Sequence, residues 1–208
     1  MCIRDSNAAS ALMLLAKAPI DDARVRRTII EQLARSVAPG GSADEVTRGQ
    51  VLSLLSERFH RDASYAVRAA AARGVGTMHA PDGLALLREA MTTDSFADRI
   101  RREALEALAE FDTREGFDAA IRLLVPGNQQ MTRAAAAEVL GGLAHHDAAR
   151  AVSVLAATLS DHEPRVRFAG AAALGRIGTP EAKAALEKMI RDTPSREFRH
   201  HLEQAARP

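Results

Sequence analysis

Residues 161–190 read DHEPRVRFAGAAALGRIGTPEAKAALEKMI, a stretch that encodes two antiparallel helices joined by a tight turn. Pro164 fits the first turn of a helix, where a missing N–H has no partner to lose. From Val166 to Ile177, apolar residues recur every three or four positions, which is the signature of one buried helix face. Thr179-Pro180 ends this first helix and begins a second one. Such a pair cannot bury its apolar faces alone and needs copies of itself on either side.

The rest of the chain supplies these copies, and six anchor arginines make their period countable. They are Arg26, Arg68, Arg101, Arg133, Arg167 and Arg199. Their separations are 42, 33, 32, 34 and 32 residues. The long interval contains the Gly-Gly loop at residues 38–45, which we interpret as an insertion in a surface connection. This regular period predicts an all-α fold, an α-solenoid superhelix of about twelve helices.

The apolar periodicity divides the chain into a first and a second helix for each repeat. The predicted helices cover residues 8–18, 21–37, 46–59, 61–76, 81–91, 94–111, 115–124, 128–143, 148–159, 164–177, 180–190 and 195–206. The series starts on a second helix and ends on a first helix, so we expect residues 8–208 to be a fragment of a longer solenoid. The apolar run at residues 12–15 should then be covered by another repeat or by a preceding domain. Residues 1–7 show no helical pattern, and we expect a non-native or disordered N-terminus there.

An aspartate precedes several of the anchor arginines by a few residues. These aspartates are Asp21, Asp62, Asp94 and Asp161. A carboxylate just before a helix can accept backbone N–H bonds and favours the positive end of the helix. The arginine can reach the turn of its own or the adjacent repeat, so stacked copies should form a ladder of charge-assisted hydrogen bonds. In the copy with Arg133, Gly127-Asn128 replaces the aspartate, and we expect a weaker cap.

Composition excludes several classes of partner. With 28 basic and 27 acidic side chains the chain has no net field to hold a polyanion, so we predict no nucleic-acid partner. No apolar run reaches the ~18 residues that a membrane span needs. The aromatic content of 3% argues against a large aromatic-lined pocket, and we expect no small-molecule ligand. The single cysteine, Cys2, excludes an internal disulfide and a cysteine-based metal site. The location stays open between the bacterial cytoplasm and export, if a leader was lost.

No residue pattern predicts chemistry, so we assign no catalytic, cofactor-binding or metal-binding residue and expect no cofactor. The zinc motif H-E-x-x-H is absent, because no second histidine follows His162-Glu163 at the required spacing. The run His145-His146-Asp147 offers possible ligands. Adjacent residues on an α-helix diverge by about 100° and cannot readily share one ion, so we interpret this run as a solvated turn.

The pattern D-x-x-P-x-V-R-x-x-A-x-x-A-L-G-x-I-G, complete at residues 161–178, resembles a HEAT repeat of the short type found in phycobilisome-lyase-like proteins. The resemblance covers nearly the whole chain after Asn7. The copies at 61–76 and 94–111 are more narrowly similar to the helical C-terminal domain of bacterial zinc aminopeptidases of the aminopeptidase-N family. This narrower match rests on Asp62, Ser64, Tyr65, Val67 and Arg68, and on Asp94, Ser95, Phe96, Ile100 and Arg101.

Three functions follow from these resemblances. We expect this chain not to be an enzyme, because it has no catalytic motif, and we leave open whether a full-length parent is a zinc aminopeptidase. In the first, the chain is the C-terminal helical domain of an aminopeptidase-N-like zinc metallopeptidase and packs against an upstream catalytic domain. In the second, it is a stand-alone scaffold that binds proteins on the concave face lined by second helices. In the third, it is a phycobilin lyase-like or chaperone-like factor, which the scarcity of aromatic residues disfavours. Deoxyhypusine hydroxylase is also a HEAT-repeat protein, but that family is characterised by several His-Glu pairs. This chain has a single pair, so we reject that function.

Overall fold

The computed structural model describes the backbone of residues 3–207 and the side chains of residues 8–207, and this part of the chain contains twelve α-helices and no β-strand. The helices are α1 (Ile3–Lys17), α2 (Ala23–Ser36), α3 (Glu45–Arg61), α4 (Tyr65–Thr77), α5 (Leu84–Thr92), α6 (Arg99–Ala109), α7 (Arg114–Leu123), α8 (Gln130–Gly142), α9 (Ala148–Thr158), α10 (Pro164–Ile177), α11 (Pro180–Asp192) and α12 (Arg196–Ala205). The predicted all-α class and the number of helices are confirmed. None of these helices combines the length and the hydropathy that a membrane crossing needs.

Every predicted helix is present, with ends that differ by a few residues from the prediction. Helix α1 begins at Ile3 rather than at Ala8. Helix α6 begins at Arg99, after a short 3-10 turn, because Ala97 and Asp98 have left-handed backbone angles (φ 52° and 53°) that cannot continue a helix. The expectation that residues 1–7 are non-native or disordered stays a prediction, and Met1 and Cys2 lie outside the described residues.

The helices group into two compact units, Met1–Phe111 and Asp112–Pro208, where the sequence predicted one solenoid. In the first unit the first helices of the repeats, α2, α4 and α6, pack side by side, and α1, α3 and α5 each pack on the first helix that follows. The second unit has the same arrangement, with α8, α10 and α12 in one row and α7, α9 and α11 packed on them. Within each unit, neighbouring helix pairs therefore stack as repeats of an α-solenoid do.

Small residues set the spacing of first helices within each row. The glycine eight residues after one anchor arginine faces the alanine six residues after the next. The pairs are Gly76 with Ala107, Gly141 with Ala173, and Gly175 with Ala205. A Cβ atom at Gly76 would lie 2.7 Å from the Cα atom of Ala107, and one at Gly141 would lie 2.7 Å from the Cβ atom of Ala173. Gly74 and Ala34 pair in the same register with the two residue types exchanged. These crossings leave no room for a larger side chain.

In the first helices α2, α4, α6, α8 and α10, one buried aliphatic position accompanies this contact. It lies seven residues after the anchor arginine and is at most 1% exposed. Its occupants are Leu33, Val75, Leu108, Leu140 and Leu174. The apolar face predicted from the period of residues 161–190 is therefore the face that packs into the core.

The turn between α10 and α11 forms as its sequence predicts. Gly178 follows the last residue of α10 with a left-handed backbone (φ 65°), a conformation that glycine adopts without strain. The hydroxyl of Thr179 then accepts a hydrogen bond from the N–H of Ala182 at 3.3 Å, and Pro180 occupies the first turn of α11. Gly178 thus ends α10, and Thr179 and Pro180 begin α11.

Leu174→Ala should lower the free energy of unfolding by about 2–5 kcal/mol, because it leaves a cavity in a core position that is fully buried. Urea denaturation of the purified variant measures this loss. Leu14→Ala is the matched control, since Leu14 is 73% exposed and its truncation should change stability far less. Equal midpoints for the wild type and Leu174→Ala would contradict the packing described above.

Gly76→Ala should destabilise the protein by about 1–3 kcal/mol, because the added methyl group meets the backbone of α6. Gly49→Ala is the control, since Gly49 lies in α3 with no atom within 4 Å of an added Cβ. That substitution should stabilise the protein by roughly 0.5–1 kcal/mol through helix propensity. Thermal or urea denaturation separates the two outcomes, and changes of the same sign would contradict the proposed close approach.

Candidate functional site

The anchor arginine Arg26 joins two consecutive repeats of the first unit. Its Nε and Nη2 atoms donate to the two carboxylate oxygens of Asp62, each at 2.9 Å. Its Nη1 atom donates to the carbonyl oxygens of Ile20 at 2.8 Å and Asp21 at 2.7 Å. The Asp62 side chain is only 2% exposed, and it also accepts the N–H of Ser64 at 2.9 Å. This bidentate pair ties the loop before α2 to the loop before α4.

Arg133 and Asp161 form the equivalent pair in the second unit. The Nη1 atom of Arg133 donates to Oδ2 of Asp161, and Oδ1 of Asp161 accepts the N–H of Glu163 at 2.9 Å. The Arg133 side chain is 2% exposed, and its Nε atom is buried without a hydrogen-bond partner among the described residues. The pair therefore lies at the same place in the repeat as Arg26 and Asp62, but it is less completely hydrogen-bonded.

The other anchor arginines donate to carbonyl oxygens at the end of the preceding helix or in the loop before their own helix. The contacts are Arg68 to Phe59 at 2.7 Å, Arg101 to Met91 at 3.0 Å, Arg167 to Asp161 at 2.9 Å and Arg199 to Thr193 at 2.6 Å. Arg68 and Arg167 also lie over the rings of Phe59 and Phe198, both at 5.4 Å. These four arginines therefore bind backbone near the start of their own helix and do not reach the next repeat through these bonds.

The aspartates differ from one another in what they contact. Asp22, rather than Asp21, caps α2, with its carboxylate accepting the N–H of Arg24 at 2.7 Å. Asp94 has a side chain that is 99% exposed and pairs with Arg101 at 3.2 Å. Only two aspartates of the predicted set, Asp62 and Asp161, accept both an arginine from the preceding repeat and a backbone N–H in the described part of the chain. The N-cap residue of α8 makes no side-chain hydrogen bond, and neither do those of α4, α6 and α10, so the weaker cap expected in the repeat without an aspartate stays a prediction.

These contacts lower the pKa values of Asp62 and Asp161. Burial raises the pKa of Asp62, but the hydrogen bonds from Arg26 and from the N–H of Ser64, with the charges of Arg26 and Arg58, outweigh it. The pKa of Asp62 therefore lies below its ordinary value. The pKa of Asp161 is lowered in the same way, because the N–H of Glu163 and the guanidinium of Arg133 outweigh burial. Both carboxylates are consequently ionised and bound in the folded protein at neutral pH.

A groove of about 520 Å³ lies between α1 and α3 in the first unit. It is lined by Ser10, Met13, Leu14 and Lys17 of α1 and by Gln50, Ser53, Leu54 and Glu57 of α3. Leu14 is 73% exposed and Leu15 is 50% exposed, so the apolar run that the sequence predicted to need a cover presents two leucines to solvent. The sequence did not indicate the α3 wall, because its residues are mostly polar and read as a solvated helix face.

Two residues of the narrower resemblance are exposed at the starts of first helices. Tyr65 begins α4 and is 46% exposed, with the guanidinium of Arg68 at 6.0 Å from its ring. Phe96 lies in the 3-10 turn before α6 and is 84% exposed. Their side chains are largely exposed and contribute little to the core.

His145 and His146 lie in a 3-10 turn, Ala144–His146, between α8 and α9, where the sequence predicted a turn. The divergence of about 100° between adjacent residues holds for an α-helix and does not apply to this turn. Both rings face the same carboxylate oxygen of Asp112. No sequence pattern indicated this aspartate, which lies 33 residues before His145.

Comparison with known proteins identifies the repeats. The family of HEAT repeats matches residues 52–141 and 123–207. No curated protein matches the chain. Among solved structures, the complex of CpcE and CpcF of phycocyanin lyase from Nostoc sp. is similar, with 18% identity, 97% of this chain and 75% of that chain covered, and a TM-score of 0.59.

Two further solved structures are similar in fold. One is an engineered protein, with 16% identity, 96% of this chain and 95% of that chain covered, and a TM-score of 0.52. The other is human deoxyhypusine hydroxylase in complex with glycerol, with 22% identity, coverage of 97% and 86%, and a TM-score of 0.48. At these identities the likeness concerns the fold alone.

Asp62→Asn should cost about 1–3 kcal/mol of stability at neutral pH, because it removes the charge that Arg26 binds. Since the pKa of Asp62 is lowered on folding, this contribution is present above the ordinary aspartate pKa of about 3.9 and is lost as pH falls below it. The stability difference between wild type and variant, measured by urea denaturation, should therefore shrink in acid. Asp94→Asn is the exposed control and should show little difference at any pH. A difference for Asp62→Asn that stays constant from neutral pH into acid would contradict the ionic role.

Proposed function

The chain belongs to the HEAT-repeat family, and from this premise we propose that it is a noncatalytic scaffold whose first unit binds an amphipathic helix of a protein partner. The groove between α1 and α3 carries the proposal. In this groove the exposed Leu14 lines a cavity of peptide size. Repeat proteins commonly bind partners along the surfaces that their stacked helices form.

The spacing of the lining residues indicates the shape of the occupant. Each wall is built from positions i, i+3, i+4 and i+7 of one helix, as Ser10 to Lys17 on α1 and Gln50 to Glu57 on α3. Positions with this spacing form a straight stripe along two helical turns. A groove between two such stripes accommodates an elongated apolar ridge, and helix-in-groove recognition uses a ridge of the same spacing on the ligand.

The distribution of polarity in the groove agrees with a protein interface. Met13, Leu14 and Leu54 lie in the middle of the two stripes, whereas Lys17 and Glu57 lie together at one end. Protein interfaces have an apolar centre with a polar rim, and buried anchor side chains at the centre contribute most of the affinity. A partner helix would cover Leu14 and leave the charged end in contact with water.

The similar structure from Nostoc adds circumstantial support. That structure is a complex of CpcE with CpcF, so a chain of similar fold is found in assembly with another protein. The lyase activity belongs to that complex. A phycobilin lyase-like or chaperone-like role for the present chain stays a prediction, which the aromatic content of 3% disfavours.

The partner helix could belong to a separate protein or to an upstream domain of the same polypeptide. The resemblance of the middle repeats to aminopeptidase-N predicts the second source, with a zinc peptidase domain upstream. None of the similar solved structures is described as a peptidase, so the attachment to a peptidase domain stays a prediction. The genomic sequence upstream of Asn7 tests it, because an H-E-x-x-H motif there would identify the catalytic domain.

Leu14→Glu should weaken helix binding roughly tenfold or more, because it places a charge at the centre of the groove. The probe is a displayed library of amphipathic helical peptides selected on the purified wild-type chain, with affinities measured by fluorescence anisotropy. Val46→Glu is the matched control, since Val46 lies on α3, is 70% exposed and is not part of the lining.

Selected peptides that bind wild type and Val46→Glu equally and Leu14→Glu weakly would agree with the proposal. Peptides that bind Leu14→Glu as tightly as wild type would overturn it. Sedimentation provides the other contrary result, namely a dimer that Leu14→Glu dissociates, because the groove would then be covered by a second copy of the chain.

A further inference from the structure

Three side chains of types that bind metals meet in the second unit. Oδ1 of Asp112 lies 2.8 Å from Nε2 of His145 and 3.2 Å from Nε2 of His146. One ligand atom from each of the three residues lies within 4.8 Å of the others. Among the described residues, this is the one group of three such side chains close enough to hold a metal ion. It takes no part in the repeat contacts or in the proposed helix groove.

The chain brings these residues together through two short loops. Asp112 lies two residues before α7 and has a left-handed backbone (φ 49°), a conformation that is costly for a residue with a side chain and is best tolerated by Asp and Asn. His145 and His146 follow α8 in a 3-10 turn, and their ring centroids are 4.4 Å apart with planes inclined by 36°. The two imidazoles consequently point the same way.

The histidine turn is held in place by neighbours on α7. The carbonyl oxygen of His146 accepts a hydrogen bond from Nη1 of Arg114 at 3.0 Å, and the His146 ring packs on the ring of Phe117 at 6.2 Å between centroids. The His146 side chain is 21% exposed, whereas those of His145 and Asp112 are 56% and 63% exposed. One imidazole is therefore anchored, and the other two groups are open to solvent on one side.

From this geometry we infer that Asp112, His145 and His146 form a binding site for a divalent transition-metal ion of the zinc type. Zinc binds imidazole nitrogen and carboxylate oxygen at about 2.0–2.2 Å, so two ligands of a tetrahedral ion stand about 3.3 Å apart. The distances of 2.8 Å and 3.2 Å from Oδ1 of Asp112 to the two Nε2 atoms would have to widen by only a few tenths of an ångström for such an ion to bind. Two imidazoles and one carboxylate suit zinc and similar ions, whereas magnesium and calcium prefer oxygen ligands alone. The open side leaves the fourth position to water.

The guanidinium of Arg114, which binds the carbonyl oxygen of His146, is already paired with carboxylates. The guanidinium of Arg114 lies 3.6 Å from a carboxylate oxygen of Asp118 and 3.6 Å from one of Asp147. Arg114 is thus paired with carboxylates other than that of Asp112.

Metal titration of the purified, tag-free and chelator-treated chain tests the inference. We expect one equivalent of Zn²⁺ to bind by isothermal titration calorimetry, Co²⁺ to give the visible bands of a tetrahedral ion, and Zn²⁺ to raise the Tm. Asp112→Asn, His145→Gln and His146→Gln should each weaken Zn²⁺ binding by about tenfold or more. Asparagine tolerates the left-handed backbone at position 112, so Asp112→Asn should fold normally.

His162→Gln is the matched control, because His162 is an exposed histidine with carboxylates of Asp161 and Glu163 at 3.4 Å and 3.5 Å but lies outside the cluster. It should bind Zn²⁺ as the wild type does. The inference fails if no stoichiometric binding occurs, if His162→Gln weakens binding as much as the cluster variants, or if Asp112→Asn binds unchanged. None of these results bears on helix binding at Leu14, so the two proposals stand or fall separately.

Discussion

The packing of each unit depends on the close approach of consecutive first helices, which glycine and alanine permit at one crossing per repeat. Where Gly76 faces Ala107 and Gly141 faces Ala173, the backbones come so near that an added methyl group would meet main-chain or Cβ atoms. This contact fixes how far one helix lies from the next and at which residue they cross. The aliphatic residue just before the glycine position is then buried, and at the other end of α2 and α8 the anchor arginines Arg26 and Arg133 reach the loop before the next first helix.

The arginine–aspartate pairs set the alignment of neighbouring repeats within each unit. A buried ion pair is weak evidence for net stability, because desolvation of both charges offsets much of their attraction. Its geometry is nonetheless demanding, since Arg26 must meet both oxygens of Asp62 while also binding two carbonyl groups. A repeat shifted by one residue would leave these buried groups unpaired. The pairs therefore select one alignment of neighbouring repeats, and the apolar core supplies most of the favourable free energy.

The sequence predicted the parts of the fold that depend on local pattern, and it missed those that depend on loop conformation. Helix number, helix order and the Gly178–Thr179 turn follow from periodicity, capping and backbone preference within a few residues. The left-handed backbones of Ala97, Asp98 and Asp112 carry no such signal, because alanine and aspartate also occur in ordinary helices. The turn at His145 and His146 was predicted, but the proximity of Asp112 was not, because no local pattern links residues that lie 33 positions apart. The exposed leucines of α1 were predicted as a run, but the opposite wall on α3 required the tertiary structure.

The distance from each anchor arginine to its crossing position is constant, while the connections between helices vary in length. The interval of 42 residues between Arg26 and Arg68 arises in part from the long connection at residues 37–44, which joins α2 to α3 without altering the crossing of α2 with α4. A connection of this kind can therefore change in length without moving the helix crossings. A lineage could enlarge or replace this connection, or duplicate a complete repeat, and the descendants would still inherit the same spacing between helices.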